Sequence, residues 1–113
     1  MKDLTVLVSR YTKSLYSLAK EQSIVPAVYK DLSKLNEALE ASGKYKDIAL
    51  NPKVPARTKA AIWGVLMDPI KVNGITAMFI KLMLDNSRIH LFPKVIRKYQ
   101  DMVLADSGIK GVK

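Results

Sequence analysis

Leu4, Val8, Tyr11, Leu15 and Leu18 recur at alternating spacings of four and three, the stripe that an amphipathic helix turns toward a core. Asp3 or Thr5 is placed to accept hydrogen bonds from the free amides at that helix's start. Ser23 to Pro26 interrupts the pattern, and Pro26 suits the first turn of a second helix, where its missing N–H would have no partner anyway. Val28, Leu32, Leu35 and Leu39 carry the second stripe, and Gly43 is expected to close it as a left-handed cap. A short third helix is expected over 45–50, stopped by Asn51-Pro52. Pro55 opens a fourth, with Ile62, Val65 and Leu66 expected inward, and Asp68-Pro69 ends it. Asn73 caps a fifth from about Gly74 to Asn86. Ser87 to Leu91 leads to a sixth with Pro93 in its first turn, a buried face of Phe92, Val95, Ile96, Tyr99, Met102 and Val103, and Gly108 as terminator. Neither an alternating strand pattern, nor an Asn-Gly or Asp-Gly hairpin, nor an internal repeat interrupts this series. The expected fold is all-α, a compact six-helix bundle over residues 1–106, with 107–113 read as a linker toward an absent C-terminal domain.

The fifth helix carries more apolar surface than one core-facing stripe needs. From Ile75 to Leu84, eight of ten residues are apolar. At about 100° per residue, Ile75, Met78 and Leu82 gather on one side and Ile80, Met83 and Leu84 on another, with Phe79 between. Such a helix is either enclosed by its neighbours or faces both its own core and a partner. In the second case a groove would await an amphipathic helix, with Met78 supplying adaptable surface. The first helix adds a weaker hint, since Leu7 and Ser14 on one edge and Ala19 on the other widen its stripe, and small Ser14 permits close approach.

Composition narrows the functions. The chain of 113 residues has the size of one domain, and 49% hydrophobic with 26% charged residues is a globular balance. It contains no cysteine, which removes disulfides, thiolate zinc sites and cysteine nucleophiles. No run approaches the roughly 18 apolar residues that span a bilayer, because Thr76 and Lys81 interrupt the longest. The opening Met1-Lys2-Asp3-Leu4-Thr5 does not read as a signal peptide. A net charge of +9 raises nucleic acid or an anionic membrane as partners. The lysines are scattered, however, over expected helix-surface positions (Lys13, Lys20, Lys30, Lys34, Lys59, Lys81, Lys98) rather than concentrated in a patch.

Candidate chemistry is sparse. His90, the single histidine, sits beside Arg88 in a connection and reads as a surface or capping residue rather than a general base. Carboxylates are dispersed, and Glu37 with Glu40 reads as solvated charge on the polar side of the second helix. Gly64 and Gly74 belong to no phosphate-binding loop. The expectation is a non-catalytic protein with no catalytic residues, no metal site and no cofactor.

Two stretches carry a resemblance. Arg10-Tyr11-Thr12-Lys13-Ser14-Leu15-Tyr16-Ser17-Leu18-Ala19-Lys20-Glu21-Gln22 is similar to the opening of the ATP synthase delta/oligomycin sensitivity conferral protein (OSCP) family, usually Arg-Tyr-Ala-x-Ala-Leu-Phe/Tyr-x-x-Ala. Leu82-Met83-Leu84-Asp85-Asn86-Ser87-Arg88-Ile89 resembles the family's Leu-Leu-Ala-Glu-Asn-Gly-Arg-Leu. Leu50-Asn51-Pro52 stands where a Leu-x-Asn-Pro break is common, so the resemblance runs in order from about Leu4 to Gly108. Thr12 and Ser14 stand where alanines are usual, Leu84 replaces an alanine, and Ser87 replaces the glycine after Asn86. Asn86 is therefore expected to carry the left-handed backbone, which asparagine tolerates better than serine.

The resemblance implies a structural subunit of the peripheral stalk, or stator, of a proton-translocating F-type ATP synthase. Its N-terminal domain sits on top of the catalytic head, where helices one and five receive the N-terminal helical segment of an alpha subunit and resist rotation of the head. Carried over by position, Tyr11 and Leu82 fall at that groove, and by the angular argument Ser14, Leu15, Leu18, Ile75 and Met78 are their neighbours. In the family a C-terminal domain grips the stalk's b subunit. The implied location is peripheral to the energy-transducing membrane: the mitochondrial inner membrane, matrix side, on the strength of the basic charge, with the bacterial plasma membrane, cytoplasmic side, as the alternative. An unrelated helical interaction module using the same groove is the runner-up, and a basic helical nucleic-acid binder comes third.

Overall fold

A computed structural model describes residues 2–107, with side chains from Leu4 to Asp106. Helices α1 (Lys2–Glu21), α2 (Val25–Ala41), α3 (Lys44–Leu50), α4 (Ala56–Met67), α5 (Gly74–Asp85) and α6 (Phe92–Ser107) follow in order, and a single 3-10 turn over Ile89–Leu91 leads into α6. The described residues contain no strand, so the all-α expectation holds. Gly108 and the expected linker over 108–113 lie outside the described residues.

α2 is the central element and touches every other helix. Its predicted stripe is entirely enclosed, with Val28, Leu32, Leu35 and Leu39 all at 0% exposure, and Pro26 sits in its first turn as expected. From the same helix Asp31 Oδ2 accepts from the Asn73 backbone amide at 2.8 Å and from the Thr76 hydroxyl at 2.9 Å. Thr76 can therefore be fully buried with its polar atom satisfied. Asn73 caps α5 as predicted, its side chain accepting from the Ile75 amide at 3.0 Å.

α6 lies against α1 and α2. Phe92, Val95 and Tyr99 are buried, while Ile96, Met102 and Val103 pack half-buried beside them. The Tyr99 ring meets Tyr16 edge-on at 5.5 Å and stacks on Tyr29 at 6.3 Å, and its hydroxyl donates to the Val25 carbonyl at 2.9 Å. Farther along, the Tyr16 hydroxyl donates to Asp106 Oδ2 at 2.6 Å, and Lys20 Nζ approaches the same oxygen at 3.1 Å. Burial, then the bond to Asp106 and its charge, push the Tyr16 hydroxyl up to about 12. The Tyr16 bond and then Lys20 hold the Asp106 carboxyl below its ordinary value. The C-terminal ends of α1 and α6 are thus clamped together.

Several expectations need correction. In α1 the enclosed line is Val8, Thr12, Leu15, Tyr16 and Ala19, whereas Leu4 and Leu18 are exposed at 37% and 36%. Thr12 is buried because its hydroxyl donates to the Val8 carbonyl one turn back at 2.6 Å, consuming the polarity an alanine would lack. α1 already runs from Lys2, which places Asp3 and Thr5 within the helix rather than at its cap. Gly43 takes the expected positive φ of 63°, but its ψ of −127° lies in a region open to glycine rather than in the left-handed helical one.

The largest correction concerns α4. Val65, expected inward, is 72% exposed, and Ile62 and Leu66 are half-buried. The inward pair is Lys59 at 2% and Trp63 at 0%, one turn apart and hence on one face. Lys59 Nζ donates to the Asn51 carbonyl at 3.0 Å and Trp63 Nε1 to the Ala49 carbonyl at 3.1 Å. Both acceptors belong to the C-terminal end of α3, where a helix leaves carbonyls unpaired and favours a cation. Lys59 is therefore a buried cap of α3 and not a solvated surface lysine. The 3-10 turn adds Ile89 and Leu91 to the core. His90 between them is half-buried, its Nδ1 enclosed without a hydrogen-bond partner. Burial first, then the charges of Arg88 and Lys59, hold the imidazole below its ordinary value.

Candidate functional site

α5 presents two apolar faces. Phe79, Ile80, Met83 and Leu84 point into the core, whereas Met78 is 66% and Leu82 46% exposed, with Ile75 half-buried beside them. Full enclosure by its neighbours, one of the two readings of its excess apolar surface, is ruled out by the exposure of Met78 and Leu82. α1 supplies the opposite wall. Between the helices runs a groove of about 300 Å³ lined by Ser14, Leu15 and Leu18 on one side and Ile75, Met78, Phe79, Lys81, Leu82 and Asp85 on the other. The angular arithmetic thus brings Ser14, Leu15, Leu18, Ile75, Met78 and Leu82 together. Lys81 and Asp85 form an ion pair of 3.2 Å on the α5 rim.

Tyr11 does not line this groove. Its half-buried ring meets Phe79 edge-on at 6.5 Å, and its hydroxyl accepts from Asn86 Nδ2 at 3.1 Å. It supports the groove floor through Phe79. Asn86, which sequence reasoning placed only in a turn, is thus the residue that tethers Tyr11 to the end of α5.

The turn itself differs from expectation. Ser87, not Asn86, carries the positive φ, at 57°, while Asn86 has φ −93° and ψ 6°. The Arg88 amide reaches back to the Met83 carbonyl at 2.7 Å and the Ser87 amide to that of Leu84 at 3.1 Å. This is the six-to-one, five-to-two pattern that places the left-handed residue immediately after the cap. Hydrogen-bond register overrides the intrinsic preference of asparagine. The same pattern ends α1, where Ser23 has φ 60°, Ile24 bonds back to Ala19 at 2.8 Å and Ser23 to Lys20 at 3.0 Å.

The groove offers concave, mostly apolar surface, with the Lys81–Asp85 pair on one rim. Among the described residues, no helix is long and apolar enough to cross a membrane.

Residues 7–113 match the model of the family described as ATP synthase delta (OSCP) subunit. The chain is 33% identical over 106 residues to the ATP synthase subunit delta of Methylorubrum extorquens (strain PA1), covering 94% of this chain and 56% of that protein. It is 32% identical over 99 residues to that of Rhodopseudomonas palustris (strain HaA2), covering 88% and 53%. It therefore spans little more than half the length of these relatives. No solved structure matches it. The groove lies within the matched region, and the chain belongs to the ATP synthase delta (OSCP) subunit family.

Proposed function

We propose that this chain is a non-catalytic domain of the peripheral stalk of an F-type ATP synthase, and that its α1/α5 groove receives the N-terminal helical segment of an alpha subunit. One observation carries the reading: Met78 and Leu82 stand exposed on a helix whose other face is already buried in the core. Apolar area removed from water contributes about 25 cal/mol per Å² before ordering costs are subtracted. A segment that folds on binding loses part of that gain. The task is mechanical: turning of the central shaft drags the catalytic head, and a helix seated here ties the head to the stator. In the complete protein, contact with the stalk's b subunit would lie outside these residues. The relatives named above are bacterial, which favours the cytoplasmic side of a plasma membrane over the mitochondrial placement expected from charge.

The test is titration of the chain with a peptide from the start of an alpha subunit, in parallel with Leu82→Asp. Saturable binding is expected, weakened about 100-fold or more in the variant. Burying a leucine contributes roughly 1.5–3 kcal/mol, and an unpaired carboxylate in its place is worse. No binding to either protein refutes the function, and equal binding to both refutes the groove as its location.

A further inference from the structure

The two rims of the groove differ in charge. On the α5 side Lys81 and Asp85 pair with each other at 3.2 Å, so that rim is neutralised from within. On the α1 side Ser14 lines both the groove and an adjoining depression formed by Thr5, Val6, Ser9, Arg10 and Lys13. The surface is thus continuous from Leu18 across Ser14 to two cations. Arg10 and Lys13 are exposed, and neither belongs to an ion pair among the described residues. Arg10 lies one turn before Ser14 and about 80° around α1 from Leu18, at the shoulder of the groove, and Lys13 lies about 60° farther round on the same side. Glu21 lies on the same side of α1, but it is about 16 Å along the axis from Arg10 and about 12 Å from Lys13. Both separations exceed the screening length of roughly 8 Å at physiological salt.

A helix lying with its apolar stripe in such a groove sets the residues flanking that stripe over the two rims, as the flanking positions of a coiled coil do. We propose that the groove selects an amphipathic helix whose flank on the α1 side is acidic, with Arg10 and Lys13 supplying the opposing charge. The inference rests on the groove being a helix-docking site and adds the chemistry of the occupant. Burial of Met78 and Leu82 supplies the affinity, while the rim cations discriminate among helices that share an apolar stripe and speed their encounter.

Three synthetic helical peptides with one leucine stripe, differing only in Glu, Gln or Lys along one flank, test this on the intact chain. At low salt the expected order is Glu tightest, Gln intermediate and Lys weakest, with roughly tenfold between the extremes, narrowing as salt rises. The double variant Arg10→Glu, Lys13→Glu reverses the order. A control variant, Lys30→Glu with Lys34→Glu on exposed α2 positions, makes the same change in net charge and keeps it. Equal affinities for the Glu and Lys peptides overturn the proposal, as does an order that also reverses in the control. If all three bind equally and Leu82→Asp weakens them all, the docking groove survives and the charge selection does not. If none binds the wild-type chain, both are overturned.

Discussion

α4 and α5 pose the same question, because each is apolar on nearly every side and neither announces which face belongs inside. α5 buries Phe79, Ile80, Met83 and Leu84 and leaves Met78 and Leu82 out. α4 buries Lys59 and Trp63 and leaves Val65 out, along with Ala60, Ala61 and Gly64. What separates them is the neighbour each has to serve. α5 is fixed by packing and by a cap that Asn73 and Asp31 share. α4 is fixed by two long donors that reach the carbonyls ending α3, a demand no hydropathy pattern records. Beside the outward face of α4 lies a second apolar depression of about 370 Å³, lined by Tyr45, Ile62, Val65 and Leu66 among others. Two over-apolar helices thus leave two exposed apolar surfaces, and only the one on α5 faces long side chains of a second long helix.

Substitutions can break this contrast in graded steps. Trp63→Ala should cost about 3–5 kcal/mol in urea unfolding, since it removes the ring packed at 5.0 Å on Phe92 and the bond to Ala49. A loss below about 1 kcal/mol would mean that α4 is not anchored by its inward pair. Asp31→Ala should cost about 1–3 kcal/mol by leaving the buried Thr76 hydroxyl and the Asn73 amide without their acceptor. The companion change Thr76→Val should recover part of that loss.

Ser87→Gly should stabilise the chain by about 0.5–1 kcal/mol, because glycine adopts positive φ without the steric cost serine bears. Ser23→Gly should do the same at the end of α1, and a loss at either site would show the serine hydroxyl to be needed. Acid should weaken the fold through His90. Its folded value lies below the ordinary 6.5, so the unfolded chain takes up the proton first. Stability is therefore complete above that pH and falls as pH drops through it. Stability curves of wild type and His90→Gln should diverge there, the variant being flatter. Smallest of all, Val65→Ala should change stability by no more than about 0.5 kcal/mol, against the large loss at Trp63 one half-turn away.

The legible part of the molecule was the part in which burial follows period. α2 reads correctly at all four stripe positions, and Asn73 and Pro26 act where their chemistry placed them. The groove was legible for a related reason, since an excess of apolar residues on α5 had to be either enclosed or presented. The errors fall where a polar atom found a partner distant in sequence or set by backbone register. Lys59 looked solvated because nothing in sequence shows that Asn51 would offer a carbonyl to it. Thr12 and Tyr16 sit in the core because Val8 and Asp106 take up their hydroxyls. Asn86 lost the left-handed position to Ser87 because the bonds to Met83 and Leu84 fix the register.

The clamp of Tyr16 and Lys20 on Asp106 has a mechanical consequence. A pull on the end of α6 is handed at once to α1, whose opposite side forms a wall of the groove. The load then enters as shear along a broad interface locked by Tyr16 and Tyr99, and all its contacts must slip together. Without the clamp, the same pull would peel α6 away one turn at a time from its C-terminal end. Under such a pull the bundle gains more from that difference in loading than from the modest equilibrium worth of an exposed ion pair.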